Sequence, residues 1–158
     1  TNKKIKAGEL VTIDFGIYYQ GYASDITRTV AIGKISDKLK NIYNIVKEAQ
    51  ELGYQKAKAG ITGSELDKVC RDYIQKKGYG KYFLHSTGHG LGMEVHELPY
   101  VSSSNTKKLP INSVITCEPG IYIKGLGGVR IEDDLVLTKN GNLNLSRNIT
   151  KELIFITT

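Results

Sequence analysis

The chain has little of what marks several protein classes. Its two cysteines, Cys70 and Cys117, are far apart, and neither has a second Cys or His at metal-ligand spacing, so both read as reduced, structural thiols. No apolar run approaches the roughly 18 to 20 residues that cross a bilayer. The opening Thr1-Asn2-Lys3-Lys4 lacks the charged-then-apolar shape of a signal peptide, and the expectation is a cytoplasmic protein with no membrane partner. Positive charge is in excess at +6 but never gathered: Lys3-Lys4, Lys76-Lys77 and Lys107-Lys108 are doublets, shorter than a nucleic-acid patch. That reads as a solvated lysine-rich surface with no nucleic-acid partner. No Ser or Cys lies in a nucleophile elbow, and the apolar neighbours of Cys117 make it a buried thiol.

What is present suits one globular domain spanning 1–158: 40% hydrophobic and 24% charged residues are ordinary for a soluble chain with a core. Alternation predicts strands over Leu10–Phe15, Ile17–Tyr22 and Asp25–Ile32, punctuated by Gly16 and Gly21. In the first, Val11, Ile13 and Phe15 share one face and Asp14 points the other way with Thr12. From Ser36 the period becomes helical through Leu39, Ile42, Val46, Ala49 and Gly53, with Ser36 as N-cap and Gly60 as stop. Thr62-Gly63-Ser64-Glu65 is a capping-box pattern that starts a second helix running to Gly78. Strands are expected again at Ser113–Glu118, Ile121–Lys124, Val129–Leu137 and Leu153–Ile156, with a hairpin turn at Lys139-Asn140-Gly141-Asn142. Strands, two helices, then strands predict an α+β fold, with helices packed on one face of a largely antiparallel sheet.

Asp14, Asp25, Glu118, Glu132, Asp133 and Asp134 lie within or beside apolar strand segments, where carboxylates are depleted unless their desolvation is offset. Carboxylates facing each other across neighbouring strands repel unless a cation lies between them. Asp14 and Asp25 suit that arrangement if the short intervening strand brings both to one face, and Glu118 and Glu132 could complete an oxygen-rich cage. One imidazole is needed from His85, His89 or His96, and spacing does not choose among them. The Gly88-His89-Gly90-Leu91-Gly92 stretch is no phosphate loop, since no lysine or helix-starting Ser/Thr follows it. Its glycines instead let backbone and imidazole approach a ligand.

These segments together resemble the pita-bread (M24-type) metallopeptidases, which include methionine aminopeptidase, aminopeptidase P and prolidase. The resemblance is carried by Ile13-Asp14-Phe15-Gly16, by Gly21 to Thr29, by His85-Ser86-Thr87-Gly88-His89-Gly90-Leu91-Gly92, by His96-Glu97, by Cys117-Glu118-Pro119-Gly120 and by Gly128 to Asp133. The runs Ser-Asp-Ile-Thr-Arg-Thr and Gly-Val-Arg-Ile-Glu-Asp are similar to the proline-directed branch, Xaa-Pro aminopeptidase and Xaa-Pro dipeptidase. The resemblance implies a pita-bread fold, with Asp14 on one metal ion, His89 and Glu118 on the other, and Asp25 and Glu132 bridging. It assigns His85 and His96 to the substrate pocket and Arg130 beside it. It also implies hydrolysis of the N-terminal Xaa-Pro bond of dipeptides or peptides by a hydroxide shared between two divalent ions about 3.5 to 4 Å apart. Glu118 would shuttle the proton to the departing proline nitrogen. Four carboxylates and one imidazole favour Mn²⁺, with Co²⁺ or Zn²⁺ admissible.

The match also departs from the family. Helices and strands that normally precede the first ligand strand are missing, and a pocket histidine they supply has no counterpart, so the expectation is a C-terminal fragment of an incomplete catalytic domain, weak or inactive alone. Exposed apolar faces and an unpaired edge would drive such a fragment to homo-oligomers. The alternatives are an inactive pita-bread binding module, acting as scaffold or chaperone, and creatinase-like hydrolysis without metal. The intact acidic set argues against both.

Overall fold

The computed structural model describes residues 2–157. Its strands are β1 (Leu10–Phe15), β2 (Tyr18–Tyr19), β3 (Tyr22–Ala23), β4 (Ile26–Ile32), β5 (Gly88–Gly90), β6 (Glu97–Val101), β7 (Val114–Cys117), β8 (Gly120–Ile123), β9 (Gly127–Arg130), β10 (Asp133–Leu137), β11 (Asn142–Asn144) and β12 (Phe155–Ile156). Helices α1 (Asp37–Lys56) and α2 (Gly63–Lys76) and a 3-10 turn (Gly80–Tyr82) separate β4 from β5. β1 pairs antiparallel with β4, and β12 joins β4 in parallel, giving a three-stranded sheet. A five-stranded antiparallel sheet runs β11-β10-β7-β5-β6, and β2–β3 and β8–β9 are hairpins. The α+β architecture expected from element order is the one observed.

The helices form where caps and apolar spacing place them. Ser36 accepts a hydrogen bond from the Leu39 N–H (3.3 Å), and Leu39, Ile42, Val46 and Ala49 are buried. In α2 the capping box is complete: Thr62 Oγ1 accepts from the Glu65 N–H at 3.1 Å and Glu65 Oε2 from the Thr62 N–H at 2.8 Å. α1 ends at Lys56 rather than Gly60, because the following loop is tied elsewhere. The Ala59 N–H donates to Thr138 O and the Gly60 N–H to Leu109 O. α1 packs on α2 and against β7, β8 and β9, enclosing a core that includes Ile42, Leu66, Ile74, Ile115, Ile121, Ile131 and Leu135. Cys70 and Cys117 are free and buried.

Two predicted strands are divided. The segment 17–22 is a hairpin in which Gln20 (φ 49°) and Gly21 (φ 84°) both take the left-handed region, as a tight hairpin turn with the twist of its strands requires. Asp14 and Asp25 therefore approach because β1 and β4 are direct neighbours, with the hairpin projecting beyond their end. The predicted strand over 129–137 breaks at Ile131-Glu132, where the Glu132 N–H donates to Thr27 O of β4 (3.1 Å). β9 stays with β8, while β10 enters the five-stranded sheet. β5 and β6 extend the five-stranded sheet through a stretch that carries glycines and Pro99. A Cβ on Gly88 would lie 2.0 Å from Thr116 O, so only glycine permits that approach. The apolar face of β1 is open, with Ile13 42% and Phe15 50% exposed. Among the described residues no helix is long and apolar enough to cross a membrane.

Candidate metal centre

Five pieces of chain meet at one cleft. β1 supplies Asp14, and the residue just before β4 is Asp25. β5 supplies His89, Glu118 follows the end of β7, and Glu132 occupies the break between β9 and β10. These five line a cavity of about 290 Å³ together with His96. One donor atom from each of Asp14, Asp25 and Glu132 lies within 4.8 Å of the others, and the same holds for His89, Glu118 and Glu132. A third such group joins Asp25, His89 and His96. The structure thus brings together four of the six acids that the strand anomaly singled out, while Asp133 turns to Arg28, Gln50 and Asn144 and Asp134 accepts from the Asp25 N–H, and among the histidines it places His89 deepest.

The His89 imidazole is oriented by its own backbone neighbourhood. Its Nδ1 faces the Gly90 carbonyl at 3.0 Å, which only accepts, so that nitrogen carries the hydrogen and Nε2 is left to face the carboxylates. Nε2 is 3.2 Å from Glu118 Oε1 and 3.7 Å from Asp25 Oδ2. Thr27 Oγ1 donates to Glu132 Oε2 at 2.5 Å, and Thr116 Oγ1 lies 3.2 Å from Glu118 Oε1. Threonines on the strand walls therefore aim the two glutamates.

The electrostatics are those of acids crowded without enough protein cation. Burial, then the Glu118 charge, pushes Glu132 up to about 8, against the Thr27 hydrogen bond. Burial and the Asp14 charge raise Asp25 as well. Burial alone would lower His89, but hydrogen bonds to Glu118 and Gly90 and the nearby acids hold it up at about 9. A divalent cation at this point reverses each of these costs, since it favours ionised carboxylates and a neutral imidazole. The donor set, four carboxylates and one imidazole with its second nitrogen already fixed, fits such an ion.

Around this cluster lie the other predicted site residues. The His96 ring stacks obliquely on His89 with centroids 4.2 Å apart. His85 and Arg130 line an adjoining cavity of about 320 Å³ that shares His89, His96 and Glu118 with the first. His85 Nε2 and Arg130 Nη1 both meet the Tyr122 hydroxyl, at 2.9 and 3.0 Å. Arg130 also binds Thr27 Oγ1 (3.1 Å) and forms a short ion pair with Asp14. Sequence reading missed Tyr122, although its strand and its place eight residues before Arg130 were both visible. It also missed Asp67 and Arg71 on α2, whose signal was an acid and a base four residues apart on an otherwise apolar helix face.

Comparison with known proteins agrees with this geometry. The model of metallopeptidase family M24 matches residues 1–139. An Xaa-Pro dipeptidase of Pyrococcus horikoshii is 52% identical over 154 residues, which are 98% of this chain and 44% of that protein. Among solved structures, an Xaa-Pro dipeptidase from Bacillus anthracis superposes with a TM-score of 0.96 at 55% identity, covering 99% of this chain and 44% of that one. An X-Pro aminopeptidase from Thermotoga maritima gives 0.95 at 47% identity, again covering 99% and 44%. The chain thus spans less than half the length of these relatives, as a part of the pita-bread domain. With the family match running from the first strand through β10, and relatives about half identical over nearly every residue, the chain belongs to metallopeptidase family M24.

Proposed function

We propose that the chain carries the dinuclear metal site of a peptidase that cleaves the N-terminal Xaa-Pro bond of dipeptides or longer peptides. The observation that carries this reading is the convergence of Asp14, Asp25, His89, Glu118 and Glu132 as two donor groups sharing Glu132, in a family whose relatives include Xaa-Pro dipeptidases. Asp14, with Asp25 and Glu132, would hold one ion, and His89 and Glu118, again with Asp25 and Glu132, the other. Mn²⁺ suits this set best, with Co²⁺ or Zn²⁺ admissible. When bound, such ions supply an acidified water and polarise the scissile carbonyl.

The chain's own residues do the rest. Asp14 is half exposed at the rim, where a substrate amine arrives, and Arg130 fixes its carboxylate. Glu118, only 15% exposed and beside His89, would accept a proton and return it to the leaving proline nitrogen. His96 lines the cleft and His85 the adjoining cavity, where both would hold the peptide. No observation favours the scaffold reading, since no donor of the set is missing. The open apolar face of β1 and the exposed Tyr18, Tyr19 and Tyr22 support homo-oligomers, which sedimentation of a compact monomer would contradict. A cytoplasmic setting suits the two reduced thiols.

The test is hydrolysis of an Xaa-Pro dipeptide and a longer Xaa-Pro peptide with Mn²⁺, Co²⁺ and Zn²⁺. A chain extended to the length of its relatives is expected to release the N-terminal residue, and the present chain to be weak or inactive. Failure of the extended chain with every metal would overturn the proposal.

A further inference from the structure

α2 sends no side chain into the cleft, yet two of its residues hold the backbone that carries the cleft groups. Asp67 is fully buried and accepts from the Thr87 N–H (3.0 Å) and from Thr87 Oγ1 (2.9 Å). The same carboxylate takes a two-pronged pair from Arg71, Nε at 2.8 Å and Nη2 at 3.0 Å. Arg71 then donates to the carbonyls of Phe83 (3.1 Å) and His85 (2.8 Å), and its guanidinium lies 4.3 Å from the centre of the Phe83 ring. Phe83 in turn meets the His85 imidazole edge-on at 5.2 Å.

The segment gripped in this way runs between the 3-10 turn and β5, where no strand ladder or helix satisfies the backbone. What it carries is functional. His85 is on it and His89 follows directly, while the Thr87 carbonyl accepts from the Glu118 N–H at 2.8 Å. An ion pair kept only for stability could be replaced by apolar side chains at little cost. Here the donors and acceptors are spent on one short backbone stretch, and that stretch leads into the cleft.

We propose that Asp67 and Arg71 are positioning residues, which aim the His85 imidazole at the cleft and seat the Glu118 backbone. The functional meaning rests on the peptidase reading above, but the test does not depend on it. His85 Nδ1 faces the Ser86 carbonyl (2.8 Å), so it carries the hydrogen, and Nε2 accepts from the Tyr122 hydroxyl. A correctly aimed His85 is therefore locked in one tautomer. Lysine at position 71 keeps the charge but cannot span a carboxylate and two carbonyls.

The experiment is imidazole ¹⁵N NMR on the three histidines of this chain, in their neutral forms. In Arg71→Lys the His85 signal is expected to move from the single Nδ1–H pattern to exchange between both tautomers, with His89 keeping its pattern. Asp67→Asn is expected to do the same and to weaken Mn²⁺ binding by roughly 10- to 100-fold through Glu118. In an active extended chain, kcat falls and KM holds. Arg71 is the safer variant to fold, its side chain being 32% exposed. A folded Arg71→Lys protein with a lower melting temperature but all three imidazole patterns as in the parent would overturn the proposal. A parent chain that binds no Mn²⁺ would sink the metal-site reading instead, leaving the tautomer result to decide this one.

Discussion

Glu132 and Asp133 are consecutive, both are buried, and they meet opposite surroundings. Asp133 turns into a knot of donors: Arg28 Nη2 at 2.7 Å, Asn144 Nδ2 at 2.8 Å, Gln50 Nε2 at 3.0 Å and Lys151 Nζ at 3.4 Å. Arg28 also grips the carbonyls of Thr27, Glu132, Ile149 and Thr150, tying β4 to the break before β10. Glu132 turns the other way and meets one hydroxyl, three acids and a single imidazole, that of His89. The fold can therefore surround a buried carboxylate with its own donors, and on the cleft side of the same backbone it does not. The comparison supports the proposal that the cleft acids take a cation from outside the chain.

The sharpest way to break that contrast is to remove the protein's own cation from the knot. Arg28→Met leaves Asp133 buried without its main partner and is expected to destabilise the chain by ~3–5 kcal/mol, measured by urea denaturation. Loss of a fraction of that would make the two sides alike. On the cleft side, Glu132→Gln is expected to be harmless or stabilising in ion-free protein at pH 8, because it removes a charge that burial and Glu118 oppose. At pH 6, part-way between the unfolded value of 4.5 and the folded value of about 8, the same change is expected to stabilise less than at pH 8. A large destabilisation at both pH values would mean that Glu132 serves the fold rather than an ion.

A third prediction concerns pH alone. The groups that bind their proton more tightly when folded include Asp134, moved by burial from 3.8 to about 7, Glu132, moved from 4.5 to about 8, and His89, moved from 6.5 to about 9. Each favours folding while it stays protonated, and that advantage fades as pH rises through the interval between its two values. Ion-free protein is thus expected to melt at a lower temperature at pH 8.5 than at pH 6. Mn²⁺ displaces the His89 and Glu132 protons, so its stabilisation is expected to grow over the same range. A melting temperature that rises with pH without metal would contradict the crowded-acid account. The smallest effect is expected for Lys151→Met, about 1 kcal/mol or less, since Lys151 is the most distant of the Asp133 partners and partly solvated.

Much of this was legible in the sequence, and the reasons differ by element. Ser36 and the Thr62–Glu65 box are local signals, and they produced the helix starts as read. The anomaly of acids in apolar strands was legible too, because a carboxylate at Asp25 or Glu132 conflicts with its neighbours wherever the strand is placed. What was not legible depends on partners distant in sequence. Gln20 gives no glycine-like warning of its positive φ, so the hairpin was read as one strand. Alternation continues unbroken through Ile131-Glu132, although the chain changes sheets there, and only the Thr27 carbonyl shows why. Gly88–Gly90 is a strand because Thr116 and β6 hold it, not because glycine favours one. The Asp67–Arg71 spacing reads as an ordinary helix-surface pair and carries no sign of the Thr87 amide that Asp67 meets.

The central claim is that the cleft acids wait for two ions with Glu132 common to both. Equilibrium dialysis of the chain against Mn²⁺ at pH 8, followed by elemental analysis, tests it most directly. The account predicts close to two ions per chain and a loss of at least one in Glu132→Gln. No uptake by the folded parent, or the same uptake in both proteins, would contradict it.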